Sequence, residues 1–154
     1  MSQPAPQDAK PESLTLDLEW LGDNRLRGRS GALEIVMDSP PEAGPSPVQT
    51  LAFALAGCMA MDVLLVMRRG RFALEGMTAH LVAERAPSDP RRIVKLDLRF
   101  TLAGRIPADR VAHAIQLSRE KYCSVWHSMR SDVELTTSFE VVASLAPAAT
   151  APAL

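Results

Sequence analysis

Two cysteines, Cys58 and Cys123, stand 65 positions apart in a chain of 154 residues. In a reducing compartment such a pair is more often free, catalytic or redox-sensing than a permanent bridge. Cys58 lies in Leu51-Ala-Phe-Ala-Leu-Ala-Gly-Cys-Met-Ala-Met-Asp. Apolar surroundings raise a thiol pKa, so a reactive thiolate there needs a cation beside it. Arg25 and Arg27 are the candidates. Asp62 follows Cys58 by one helical turn. Alone its charge disfavours a thiolate, whereas paired with an arginine it would hold that guanidinium beside the sulfur. A carboxylate capped by a backbone donor or by Thr50 is the equally weighted alternative.

Cys123 lies in Glu120-Lys-Tyr-Cys-Ser-Val-Trp-His. Lys121 adds positive charge, and His127, four residues later, would form a Cys/His couple on one helix face. Joining Cys58 to Cys123 requires Cα atoms roughly 4.4–6.8 Å apart, which only the fold can supply. Both cysteines are also compatible with plain core packing. Ligation of a metal by Cys58, Cys123, His127 and Asp62 is conceivable by residue type, but no C-x-x-C or H-x-x-x-H cluster supports it, and no metal or other cofactor is expected. Phosphate-binding, dinucleotide and G-x-S-x-G motifs are absent from the sequence.

The elements that must position these residues follow from periodicity. Leu14, Leu16, Leu18 and Trp20 alternate with polar residues as a strand. A turn at Leu21-Gly-Asp-Asn leads to a second strand with Arg25, Arg27 and Arg29 on one face, and then to a third with Leu33, Ile35 and Met37 on one face. Ser46 caps a helix that Pro47 opens and Arg68-Arg69-Gly70 closes. Between Val48 and Met67, 16 of 20 residues are apolar. Met77–Arg85 and a strand with Val94, Leu96, Leu98, Phe100 and Leu102 inward form a hairpin. Pro107 opens a second helix with Val111, Ile115, Ser118 and Tyr122 on one stripe. Cys123–Arg130 reads as a short helical turn, and Val133–Val141 as a last strand. The order β-β-β-α-β-β-α-β is α+β.

The first helix has the length of a membrane span, but Asp62 interrupts it and its longest apolar run is six residues. No membrane association is expected. A helix apolar on nearly every face must be buried in protein, and a single chain of this size has too little to cover it. A homodimer with these long helices at its centre is the expectation. Residues 1–13 and 143–154, rich in proline or alanine, read as disordered tails around one domain at 14–142. Apolar residues make up 47% and charged residues 23%, as in ordinary globular chains. With 17 basic and 18 acidic residues the net charge is -1, which disfavours a nucleic-acid partner. The N-terminus lacks the pattern of a secretory signal, so a cytoplasmic location is expected.

The segment Gly44-Pro-Ser-Pro-Val-Gln-Thr-Leu-Ala-Phe-Ala-Leu-Ala-Gly-Cys-Met-Ala-Met-Asp-Val, with Glu120-Lys-Tyr-Cys-Ser-Val after it, resembles the OsmC/Ohr family of osmotically inducible and organic-hydroperoxide-resistance proteins, in its OsmC-like branch. The resemblance extends over about Leu14 to Val142. It implies an intertwined α+β homodimer with central long helices, a peroxidatic Cys58 and a resolving Cys123. It further implies an antioxidant, stress-response peroxidase that reduces organic hydroperoxides and is regenerated by a dithiol, lipoyl-type or a small thiol. The family's catalytic arginine matches Arg25 or Arg27. Its orienting glutamate, ten positions before the first cysteine, is Val48 here, which leaves Asp62 to substitute. The alternatives are a non-catalytic dimer that binds an apolar small molecule, or a thiol redox sensor.

Overall fold

Short polar turns and alternating apolar positions produce two separate antiparallel starts, and α1 follows the first. The computed structural model describes residues 12–145. Its elements are β1 (Asp17–Gly22), β2 (Arg25–Ser30), β3 (Leu33–Met37), α1 (Pro47–Arg69), β4 (Ala73–Arg85), β5 (Ile93–Arg105), α2 (Ala108–Leu117), a π-helical turn (Ser118–Tyr122), α3 (Ser124–His127) and β6 (Glu134–Val142). The α+β order expected from the sequence is the observed one. The expected tails lie for the most part outside the described residues. Two compact units divide between Thr50 and Leu51.

In the first unit β1-β2-β3 is an antiparallel meander. Arg27 stands opposite Glu19, and Arg29 opposite Glu34. These pairs make one face a ladder of opposite charges, with Arg27 and Arg29 each close to both Glu19 and Glu34. The other face is apolar and carries a cavity of about 360 Å³ lined by Leu16, Leu18, Leu33, Ile35 and Met37. Leu18, Trp20 and Leu33 stay exposed there. The first strand begins at Asp17, so Leu14 and Leu16 precede it.

Ser46 and Gln49 cap α1 reciprocally: the Gln49 N–H donates to Ser46 Oγ, and the Ser46 N–H donates to Gln49 Oε1. The far end closes differently from the sequence expectation. Gly70 still donates to Val66 as a helical residue. The left-handed position is Arg71, with φ of 56°. Its N–H reaches the Arg68 carbonyl, and the Phe72 N–H reaches Met67, a Schellman closure. Gly70 serves another need, because a Cβ there would collide with the Phe72 ring.

The second unit holds the sheet β4-β5-β6. β4 and β5 form the expected hairpin, but β6 runs parallel to β5. The connection through α2 is therefore a β-α-β crossover, which a reading based on hairpins did not anticipate. Leu96, Leu98, Phe100 and Leu102 of β5 are buried, as their alternation requires. Val111, Ala114 and Ile115 of α2 join them in the core, as do Leu55, Met59, Val63 and Met67 of α1. The α1 residues repeat every four positions and make one face. Expected burial on nearly every face is not met within a single chain: Phe53 is 69% and Met61 70% exposed. By length and composition α1 is long and apolar enough to cross a membrane, with mean hydropathy 2.1 over its most apolar window.

Candidate functional site

Cys58 projects from the middle of α1, and Asp62 follows on the same side because four residues make slightly more than one turn. Cys123 arrives from α2 by way of the π-helical turn. In an α-helix Tyr122 would continue the stripe Val111, Ile115, Ser118. The wider turn instead closes with the Cys123 N–H donating to the Ser118 carbonyl, five residues back. Tyr122 is thereby turned outward, 45% exposed, and Cys123 takes the buried place.

One Sγ of Cys58, one of Cys123 and one carboxylate oxygen of Asp62 all lie within 4.8 Å of one another. A disulfide needs about 2.05 Å between sulfurs, so closure requires an approach of less than about 3 Å. Cys58 is partly exposed and Cys123 fully buried, and both are free thiols. Burial pushes the Cys123 thiol up to about 12, with Cys58 and Asp62 adding to the rise and the Trp126 N–H opposing it. Cys123 is thus neutral at physiological pH, and Cys58 is the sulfur that solvent-borne electrophiles meet first. The Ser124 hydroxyl stands 4.0 Å from Cys58 Sγ.

Two hydrogen bonds brace the cluster. Ser118 Oγ donates to Asp62 Oδ2 at 2.7 Å. Cys123 is the N-cap of α3, its Sγ accepting the Trp126 N–H at 3.3 Å. The suggested Thr50 cap for Asp62 is not made, since the Thr50 hydroxyl donates to the Ser46 carbonyl. Within the second unit no arginine pairs with Asp62 among the described residues. His127 is exposed and is not in the cluster, because the capping role of Cys123 ends the shared face. Sequence reasoning missed Ser118 as a site residue. The available signal was a hydroxyl on an otherwise apolar stripe; the structure buries it wholly and turns it to the one acid of α1.

Arg25 and Arg27 belong to the first unit. Arg25 donates through Nε and Nη2 to Asp38 Oδ2, at 3.2 and 3.1 Å. Asp38, only 6% exposed, also accepts the Ser39 and Ala43 N–H groups. The Ala43 N–H above all, with the Arg25 guanidinium, holds its carboxyl below the usual value against the opposing effect of burial. Arg27 divides itself between acids. Its Nη1 donates to Glu19 at 3.1 Å, and its Nε sits 3.3 Å from Glu34 without hydrogen-bond alignment.

Residues 39–138 match the family described as OsmC-like protein. Protein YhfA of Escherichia coli strain K12 is 35% identical over 130 residues, covering 82% of this chain and 97% of YhfA. A crystal structure of a hypothetical protein from Aquifex aeolicus VF5 superposes with a TM-score of 0.80 at 23% identity, over 86% of this chain and 98% of that one. An organic hydroperoxide resistance protein OsmC from Legionella pneumophila shares the fold at a TM-score of 0.65 and 14% identity, over 86% of this chain and all of its own. With a family match across most of the described residues and a curated relative aligned over nearly its full length, the chain belongs to the OsmC-like family.

Proposed function

We propose that the protein is a thiol-dependent peroxidase of organic hydroperoxides, working through Cys58 and Cys123. The single observation that carries this reading is the meeting of an accessible and a buried sulfur, 65 residues apart in sequence, within 4.8 Å. The Cys58 thiolate attacks the terminal peroxide oxygen and the O–O bond breaks. Cys58 becomes a sulfenic acid, and the departing alkoxide takes a proton to leave as an alcohol. Cys123 then attacks the Cys58 sulfur and water leaves, giving the disulfide. The Cys123 proton must be removed in that step, and Asp62 is the base beside it. An external dithiol, lipoyl-type or a small thiol, restores both sulfurs by exchange.

Ionising Cys58 calls for a cation, and Arg25 suits that role better than Arg27. Its guanidinium is already oriented by one buried acid, Asp38, whereas Arg27 is shared between two partly exposed glutamates. Within the first unit Asp38 orients the Arg25 guanidinium, a part for which Val48 has no polar group. A homodimer and a cytoplasmic setting complete the proposal.

One equivalent of an organic hydroperoxide should remove both free thiols, and mass mapping should find Cys58 linked to Cys123. Cys58→Ser should abolish turnover, and Cys123→Ser should stop the cycle after its first oxidation. Retention of both thiols in the folded protein would overturn the proposal. The apolar cavity in the first unit favours a second reading, a binding protein for an apolar small molecule. On that reading ligand binding survives Cys58→Ser, and hydroperoxide leaves the wild-type thiols intact.

A further inference from the structure

We infer that the reduced protein binds one zinc ion per chain through Cys58, Asp62 and Cys123. This uses residues of the proposed peroxidase site but does not depend on turnover. Zinc takes thiolate and carboxylate ligands in a tetrahedron, with ligand atoms about 3.3–3.8 Å apart. The three candidate atoms already lie within 4.8 Å of one another, so small rotations of short side chains close the remaining gap. Three protein ligands leave a fourth position for water.

The surroundings of the cluster are those a metal site requires. Ser118 Oγ donates to Asp62 Oδ2, which fixes the carboxylate and still leaves it lone pairs for an ion. The Trp126 N–H points at Cys123 Sγ and offsets part of a bound thiolate's charge. Cys123 is wholly buried, while Cys58 is accessible enough to admit an ion. Each cysteine that enters as a thiol gives up its proton to solvent, so affinity rises with pH. Occupancy ties up the sulfur that would meet hydroperoxide, and disulfide formation removes two of the three ligands. Zinc and peroxide therefore compete for one state of the protein.

The test is competition between the fully reduced protein and a chromophoric zinc chelator at neutral pH. One equivalent should bind with micromolar or tighter affinity, and cobalt in its place should give a thiolate charge-transfer band. Cys58→Ser and Cys123→Ser should each weaken binding by more than tenfold, and Ser118→Ala by about tenfold through loss of the carboxylate's anchor. Zinc should slow alkylation of Cys58, and the oxidised protein should not bind. Absence of stoichiometric binding in reduced, folded protein, or affinity unchanged in both cysteine variants, overturns the inference. Thiol loss to hydroperoxide in metal-free buffer is scored separately, so failure of zinc binding and failure of the peroxidase reading are distinguishable.

Discussion

A carboxylate that accepts two backbone N–H groups and a guanidinium keeps its charge in acid that would neutralise the same group in water. Asp38 is such a carboxylate, and its folded-state pKa lies below the ordinary value of 3.8. The lowered pKa means that Asp38 stabilises the fold above its unfolded value and loses that contribution as pH falls below about 4. Asp38→Asn should be less stable than wild type at neutral pH, with the difference shrinking in acid. Urea midpoints measured from neutrality down to strong acid check this, and a constant gap would refute it. At this scale residue type was informative and partnership was not. Cys58, Cys123 and Asp62 were candidates by chemistry alone, and the fold unites them. Ser118 and Asp38 escaped notice because what matters in them is burial and aim, and neither is written in a one-dimensional pattern. Asp38 sits in a Pro-rich loop where an acid signals only a turn.

Elements were legible where periodicity or capping dictates them, as in the Ser46-Pro47 start of α1 and the inward set of β5. They were illegible where backbone geometry departs from the default period. The π-helical turn after α2 is one such place, since a single widened turn leaves no mark on an apolar stripe until its neighbours are seen. The direction of β6 is another, because alternation is the same for parallel and antiparallel partners. The end of α1 offers a measurable case. A left-handed conformation costs a residue with a Cβ about 1–2 kcal/mol, and Arg71 bears that cost at the position glycine usually fills. Arg71→Gly should stabilise the protein by about 0.5–1 kcal/mol, once the extra freedom glycine has in the unfolded chain is subtracted. Gly70→Ala should destabilise it, since the added methyl meets the Phe72 ring. Thermal melts of the two variants, one residue apart and opposite in sign, separate conformational strain from steric crowding.

For the whole molecule, α1 buries one face through Leu55, Met59, Val63 and Met67 and leaves Leu51, Phe53, Met61 and Leu65 exposed. Sequence patterning foresaw a helix too apolar for one chain to cover, and the exposed residues identify the uncovered side. Soluble monomers rarely leave a contiguous apolar patch larger than a few hundred Å² open to water. A second copy of the chain offers the same surface, and a two-fold interface lets one helix face cover its own counterpart. A homodimer should therefore sediment at about twice the 16.7 kDa chain mass at micromolar concentration. Met61→Glu introduces a charge at a position 70% exposed in the single chain, where it costs a monomer little and burial against a partner costs much. The variant should run as a folded monomer, with far-ultraviolet circular dichroism unchanged and the sedimenting mass halved. A wild-type mass near 17 kDa, or a Met61→Glu dimer as tight as wild type, would show that this face meets something other than its own copy.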